Sequence, residues 1–276
     1  MNTSNIFNKQ DNPFYLSARR AAQRLYFRAK LSLYSVKLVT VIISIGLLIA
    51  ATCFCSPQLT TISACLTIII FLADYYVESF SLKLKKKAAS IQHYIEQDLF
   101  GIERTDPICY YCIELDEEAI VKTINKYDDK KYKKVKSWYK RIEEEDIILQ
   151  INACQKESIK WEIKLRRYYY NTLLGFILVL VIGLAVFCTF EYNELSTEWF
   201  VLIACFVPLF KMIFTALSKL KTDIESIARI EGIKIGAPSK DNIRISQIYL
   251  YEYRCNAIII PSSFYRLFKR HFENSI

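Results

Sequence analysis

A chain of 276 residues, 53% of them hydrophobic and with a formal charge of +9, carries only six glycines, two histidines and nine scattered cysteines. So few glycines leave no room for a phosphate-cradling Gly-rich loop. No nucleophile elbow and no H-E-x-x-H pattern is present, which speaks against an enzyme, and no cofactor is expected. The basic excess flanks long apolar stretches, where Lys and Arg mark topology and touch anionic lipid, so it calls for no nucleic-acid polymer as partner.

Residues 1–13 read as a polar tail. From Pro13, Leu16, Ala22, Leu25, Ala29 and Leu33 fall at helical spacing, and Arg20, Arg24 and Arg28 share one face. This cytoplasmic helix, 1–37, leads into the uncharged stretch Leu38–Cys55, and Pro57–Ala73 follows after a minimal turn. Each is close to the roughly 20 residues a helix needs to cross a bilayer core of about 30 Å. A signal peptide is rejected, because the stretch starts late, is long and is followed at once by a second. After this hairpin, 38–80, the second helix continues inward through Tyr76, Phe80, Ile91, Tyr94, Ile95 and Leu99, and Gly101 and Pro107 end it.

Within the insert, 81–168, Asp116 caps a helix with Ile120, Ile124 and Tyr127 on one side. Asp128–Lys136 is charged all round and reads as a solvated loop or helix end. A further helix runs from about Glu144 through Trp161 into Asn171–Phe190, twenty residues without a charge. Trp199–Phe210 completes a second hairpin, 169–217, with Pro208 as a hinge. The C-terminal unit, 218–276, breaks at Gly232, Gly236 and Pro238. It then offers a helix over Ile243–Tyr253 and a short amphipathic one with Phe264, Leu267 and Phe268.

Charge sets the expected topology. Arg19, Arg20, Arg24, Arg28, Lys30 and Lys37 precede the first apolar stretch, Lys83, Lys85, Lys86 and Lys87 follow the second, and Arg166 and Arg167 precede the third. Lys219 and Lys221 follow the fourth, while the turn from Glu191 to Glu198 holds acids alone. The positive-inside rule puts both termini and the insert in the cytoplasm. The expected fold is therefore an all-α membrane protein. Four transmembrane helices form two hairpins, and the helices extend into a mainly helical cytoplasmic domain.

Cys109 and Cys112 form one C-x-x-C with His93 as a weak third ligand, short of the usual four, so no metal site is expected. Cys53, Cys55 and Cys188 lie near the outer face, where nothing else supports a disulfide. More informative are Thr60, Ser63, Thr67, Asp74 and Glu78, which fall within a wedge of about 60° on one helix. Such a stripe either lines a water-filled path when several copies assemble or permits close helix packing. One stripe in four spans cannot enclose a path alone, so the conduit reading implies a homo-oligomer. Asp74 and Lys211 lie at similar depth, which suggests an ion pair between them, within or between subunits; the alternative is that both snorkel to the inner boundary.

Several segments resemble the SMODS-associating four-transmembrane effector family of bacterial antiphage (CBASS-type) signalling. They are Ala21-Ala22-Gln23-Arg24-Leu25-Tyr26 with Ala29-Lys30, Ile91-Gln92 through Asp98-Leu99-Phe100, Ser137-Trp138-Tyr139, Cys154-Gln155, Trp161-Glu162 with Leu165-Arg166-Arg167, and Gln247, Tyr249, Arg254 and Pro261 with Phe264-Tyr265. The likeness covers nearly the whole chain in order. It departs after Phe100, where Gly101-Ile102-Glu103-Arg104 replaces an aromatic and Asn. The resemblance implies an effector in the bacterial inner membrane that binds a cyclic oligonucleotide made by a neighbouring nucleotidyltransferase. It then breaks the membrane barrier by forming pores or disrupting lipid, and growth stops.

A cyclic oligonucleotide needs cations for phosphate, aromatic faces for stacking and polar groups for base edges. The candidate contacts are Arg166, Arg167, Trp161, Trp138, Tyr139, Gln155, Arg24 and Arg254, with Tyr249 beside them. The candidate pore and gate residues are Thr60, Ser63, Thr67, Asp74, Glu78 and Lys211. For each contact an ordinary role competes, the tryptophans as core and Arg166 and Arg167 as topology markers. A channel or transport subunit unrelated to nucleotides, or a membrane-anchored scaffold, is the alternative class. The sequence leaves open whether the ligand activates or holds the protein shut.

Overall fold

In a computed structural model that describes residues 6–54, 57–102, 116–139, 146–190, 197–233 and 238–273, the chain is all helical, with no strand among the described residues. The helices are α1 (Ile6–Lys9), α2 (Pro13–Phe54), α3 (Pro57–Phe100), α4 (Glu117–Tyr127), α5 (Ile147–Phe190), α6 (Thr197–Ile233), α7 (Lys240–Asn256) and α8 (Ser262–Glu273). A single 3-10 turn covers Tyr132–Lys134.

Local chemistry sets these boundaries. Pro13 and Pro57 occupy the first positions of α2 and α3, where the missing N–H costs nothing. Asp116 Oδ1 accepts from Ala119 N at 2.9 Å, and Ser239 Oγ accepts from Asn242 N at 3.1 Å, capping α4 and α7. Asp146 Oδ1 does the same for Ile148 N at 2.8 Å, so α5 starts slightly after the expected Glu144. At the end of α3, Gly101 takes φ +64°. Ile102 N then donates to Gln97 O at 2.9 Å and Gly101 N to Asp98 O at 3.4 Å, which makes a Schellman stop.

The chain packs as two compact units. The first holds 1–29, 82–165 and 223–259; the second holds 30–81, 166–222 and 260–276, so that α8 falls with the second. The core of the first unit includes Ile159, Ile163, Ile227, Ile230, Leu250, Tyr253 and Ala257, where α5, α6 and α7 meet. Ala18, Ala21, Ala22 and Ala29 on α2 and Ala88 and Ala89 on α3 are also buried, small side chains that let helix backbones approach.

The segment 128–136 follows the end of α4 as a largely exposed loop, as expected, and Asp129 anchors it. Arg20 Nη2 donates to Asp129 Oδ2 at 2.7 Å with Nε on the other oxygen, Arg24 Nη1 lies 3.8 Å from Oδ2, and Arg28 lies 5.0 Å over the Tyr127 ring. The basic face of α2 thus neutralises this acidic loop, and the Arg20 fork holds the Asp129 carboxyl well below its ordinary range.

In the second unit α5 shows an apolar outer surface, with Leu178, Val179, Val181 and Ile182 among its exposed residues. Among the described residues α5 is the helix long and apolar enough to cross a membrane, by length and composition, over Ile147–Gly183. Phe264 of α8 packs edge-on against Tyr169 of α5, with centroids 4.9 Å apart.

Candidate ligand-binding site

The polar centre of the first unit is the Glu96 carboxylate on α3, 3% exposed. Three elements converge on it, and a fourth extends the network. From α3 itself Gln92 Nε2 donates to Oε1 at 3.1 Å, one helical turn away. From the segment before α5, Tyr139 Oη donates to Oε1 at 3.2 Å. From α7, Gln247 Nε2 and Arg254 Nη1, seven residues apart and so on one face, each donate to Oε2 at 2.6 Å. Gln155 of α5 extends the network by donating to Gln247 Oε1 at 2.8 Å and to Ile243 O at 3.3 Å. Burial pushes the Glu96 carboxyl up, but the Arg254 charge and the hydrogen bonds from Arg254, Gln247 and Gln92 bring it below its ordinary value. Burial likewise works against the Arg254 cation, and Glu96 more than restores it, raising its pKa.

A second layer surrounds this pair. Gln10 Nε2 donates to Tyr139 O at 3.1 Å and its Oε1 accepts from Tyr139 N at 2.9 Å, so the two hold each other reciprocally. Ser137 N donates to Asp11 Oδ1 at 2.8 Å, and Ser137 adopts φ +49°, a left-handed turn that costs a non-glycine residue some strain. Directly after this pinned turn Trp138 is 43% exposed and Tyr139 is buried. Arg19 of α2 lies 5.8 Å from the Trp138 ring centroid and 5.6 Å from that of Tyr139. A cavity of about 50 Å³ opens between Arg19, Gln23, Tyr26, Gln92, Glu96 and Trp138.

Of the expected ligand residues, the structure brings Tyr139, Gln155 and Arg254 together around Glu96 and sets Trp138 beside them. Arg24 stands near Asp129. Trp161 is half-buried on α5, and Glu162 next to it accepts from Tyr253 Oη at 3.4 Å. Arg166 and Arg167 belong to the second unit, the former buried and the latter exposed. Tyr139, Gln155 and Arg254 already have their hydrogen bonds committed within the network.

Sequence reasoning did not single out Glu96, Arg19 or Gln92. A charged residue at position 96 amid Ile91, Ile95 and Leu99 was a usable signal, but its partner lies 158 residues away. His93 is fully buried on the same helix, its ring 4.8 Å from that of Tyr251, and neither ring nitrogen has a hydrogen-bond partner among the described residues. Burial pushes its pKa down to about 4, with Glu96 acting upward and Arg254 downward.

In the second unit, Thr60, Ser63 and Thr67 lie on α3 but their side chains are outside the described residues. Asp74 is half-buried and Lys211 exposed, and among the described residues they form no ion pair. The pairing falls further along each helix, with Lys219 Nζ 3.5 Å from Glu78 Oε1. Equal depth fixes height along a helix but not rotation about its axis, so it does not by itself bring the two side chains together within one chain. Cys109 and Cys112 also lie outside the described residues, and the described ones hold no cluster of His, Cys, Asp and Glu suited to a metal.

A family model described as the SMODS-associating 4TM effector domain matches residues 4–276. No curated protein and no solved structure matches the chain.

Proposed function

Since the chain belongs to the SMODS-associating 4TM effector family, we propose that it is an antiphage effector of the bacterial inner membrane that responds to a cyclic oligonucleotide. The family match over residues 4–276 is the observation that carries this reading. In this reading α2, α3, α5 and α6 each cross the bilayer, both termini are cytoplasmic, and several copies assemble so that the polar stripe of α3 lines an aqueous path. The first unit is the ligand sensor and performs no chemistry on the ligand. Its Glu96–Arg254 network is a buried hydrogen-bonded array, and such arrays have discrete arrangements rather than a continuum, which suits a switch.

Anionic lipid is the second partner. On α8, Arg266, Lys269 and Arg270 accompany Phe264 and Leu267, and Leu267 is 77% exposed. A basic amphipathic helix of this composition lies in the headgroup layer. The contact of Phe264 with Tyr169, inside the run Tyr168-Tyr169-Tyr170, is at the aromatic level expected of an interface.

The test is expression together with a cyclic-oligonucleotide synthase, with membrane potential and entry of an impermeant dye followed in growing cells. The expected result is loss of potential and dye entry at growth arrest. An intact potential throughout arrest overturns the membrane action. Full growth with abundant protein and ligand overturns the effector role.

A further inference from the structure

Two charged side chains, Arg19 and Glu96, line one cavity, and Arg254 pairs with Glu96 behind it. Glu96 and Arg254 neutralise each other at 2.6 Å. Arg19, 6% exposed, has no carboxylate within ion-pair distance among the described residues. Its direct contacts are the ring faces of Trp138 and Tyr139 and a long bond of 3.5 Å to Gln10 Oε1, while Glu96 and Asp11 act on its charge from beyond ion-pair distance. A guanidinium has five donors, and ring faces and one amide oxygen leave most of them unused. A buried cation in this state calls for an anion.

We propose that Arg19 is the phosphate-binding residue of this protein, with the outer face of Trp138 as the platform for the base attached to that phosphate. The other cations nearby are engaged: Arg254 with Glu96, and Arg20 and Arg24 with Asp129. Glu96 also lines the cavity, but Arg254 takes its charge, so it repels an incoming anion little. Gln23 supplies an amide on the same wall, and Gln92, which donates one N–H to Glu96, has a second. A cavity of about 50 Å³ is far below the roughly 300 Å³ of the smallest ordinary ligand pockets, so it takes one phosphate group and not a whole nucleotide. The rest of the ligand lies outside it, where Trp138 is exposed. The site also reaches the buried network, because Tyr139, adjacent to Trp138, donates to Glu96. The phosphate site stands on the unpaired guanidinium; the base platform rests on the cyclic-oligonucleotide reading.

The two parts separate in one experiment on the full chain in detergent. Inorganic pyrophosphate and a panel of cyclic di- and trinucleotides are tested by thermal shift and by Trp fluorescence. The variants are Arg19→Met, Arg19→Lys, Trp138→Ala and the exposed control Arg229→Ala. Arg19→Met is expected to weaken both probes at least about tenfold, and Arg19→Lys less, since it keeps the charge but loses the fork. Trp138→Ala is expected to weaken a nucleotide about tenfold and pyrophosphate little, because only the base stacks. It replaces an exposed residue, so it keeps the test alive if Arg19→Met does not fold. Nucleotide binding unchanged in Arg19→Met and in Trp138→Ala overturns the site and leaves the nucleotide reading standing. Pyrophosphate binding that needs Arg19, with no nucleotide bound, upholds the phosphate site and removes the nucleotide reading. Neither probe binding the parent chain overturns both.

Discussion

Arg254 on α7 donates to the carboxylate of Glu96 on α3 at 2.6 Å, and the two are 158 residues apart in the chain. Both side chains are almost withdrawn from solvent, at 10% and 4% exposure. Removing one partner of such a pair strands a charge in the interior, which costs on the order of 3–5 kcal/mol. Arg254→Met and Glu96→Leu are each expected to lower the unfolding temperature sharply. The double variant is expected to be more stable than the sum of the two losses, because neither charge remains. Thermal unfolding of the four proteins in one detergent measures the coupling, and simple additivity contradicts it.

His93 gives the first unit an acid sensitivity with a defined sign. Its pKa falls from 6.5 to about 4 in the folded chain, first because burial penalises the cation, with Glu96 opposing and Arg254 adding. Tyr251 packs on the ring and supplies no charge. Between those two values the unfolded chain binds a proton that the folded chain does not, so stability falls as pH drops through this window. From pH 7 to pH 4 the loss is on the order of 2–4 kcal/mol. Glu96 adds in the same direction only lower, as pH falls through its depressed pKa. His93→Phe is expected to flatten the decline between pH 6.5 and 4.5 in a series of unfolding curves. An unchanged slope in that variant assigns the acid sensitivity elsewhere.

The legible parts of this fold were local ones. Asp116, Gly101 and the proline starts at Pro13 and Pro57 act through residues within one turn, so spacing alone exposes them. The loop 128–136 was legible as a loop, but its anchor was not, because Arg20 is 109 residues from Asp129. Tyr139, Gln155 and Arg254 stand out through the family resemblance and the chemistry a nucleotide needs, and the structure brings them into one network. What they surround was not legible: a glutamate on a helix reads as surface until the helices that cover it are placed. Arg19 reads as one basic residue among seven before the first apolar stretch, and only burial separates it from the others.

The proposed topology is checked by labelling. Glu118 is exposed on α4, and Glu194 belongs to the acidic connection at 191–196, outside the described residues. A cysteine placed at each position in turn is treated with a membrane-impermeant maleimide, against the parent chain as background. Glu194→Cys is expected to react from the periplasmic side of intact cells, and Glu118→Cys only after permeabilisation. The reverse pattern inverts the charge rule on which the arrangement rests.

Asp74 offers a test of the conduit itself. Its Oδ1 is buried with no hydrogen-bond partner among the described residues, and Lys211 does not reach it. A carboxylate within an apolar helix segment costs about 2.5–3.5 kcal/mol on insertion scales unless it is paired or wet. Nothing in the described part of one copy pairs it. An assembly in which α3 helices from several copies face a common path would supply the water. Asp74→Leu is then expected to insert at the parent level and to unfold at higher temperature, while dye entry falls at least about tenfold because the path loses the group that keeps it wet. Asp74→Asn, which keeps a hydrogen-bonding group, is expected to fall between the two. Flux assays on reconstituted vesicles at matched protein density separate these outcomes. Equal leakage from Asp74→Leu and the parent removes the α3 stripe as the lining of the path.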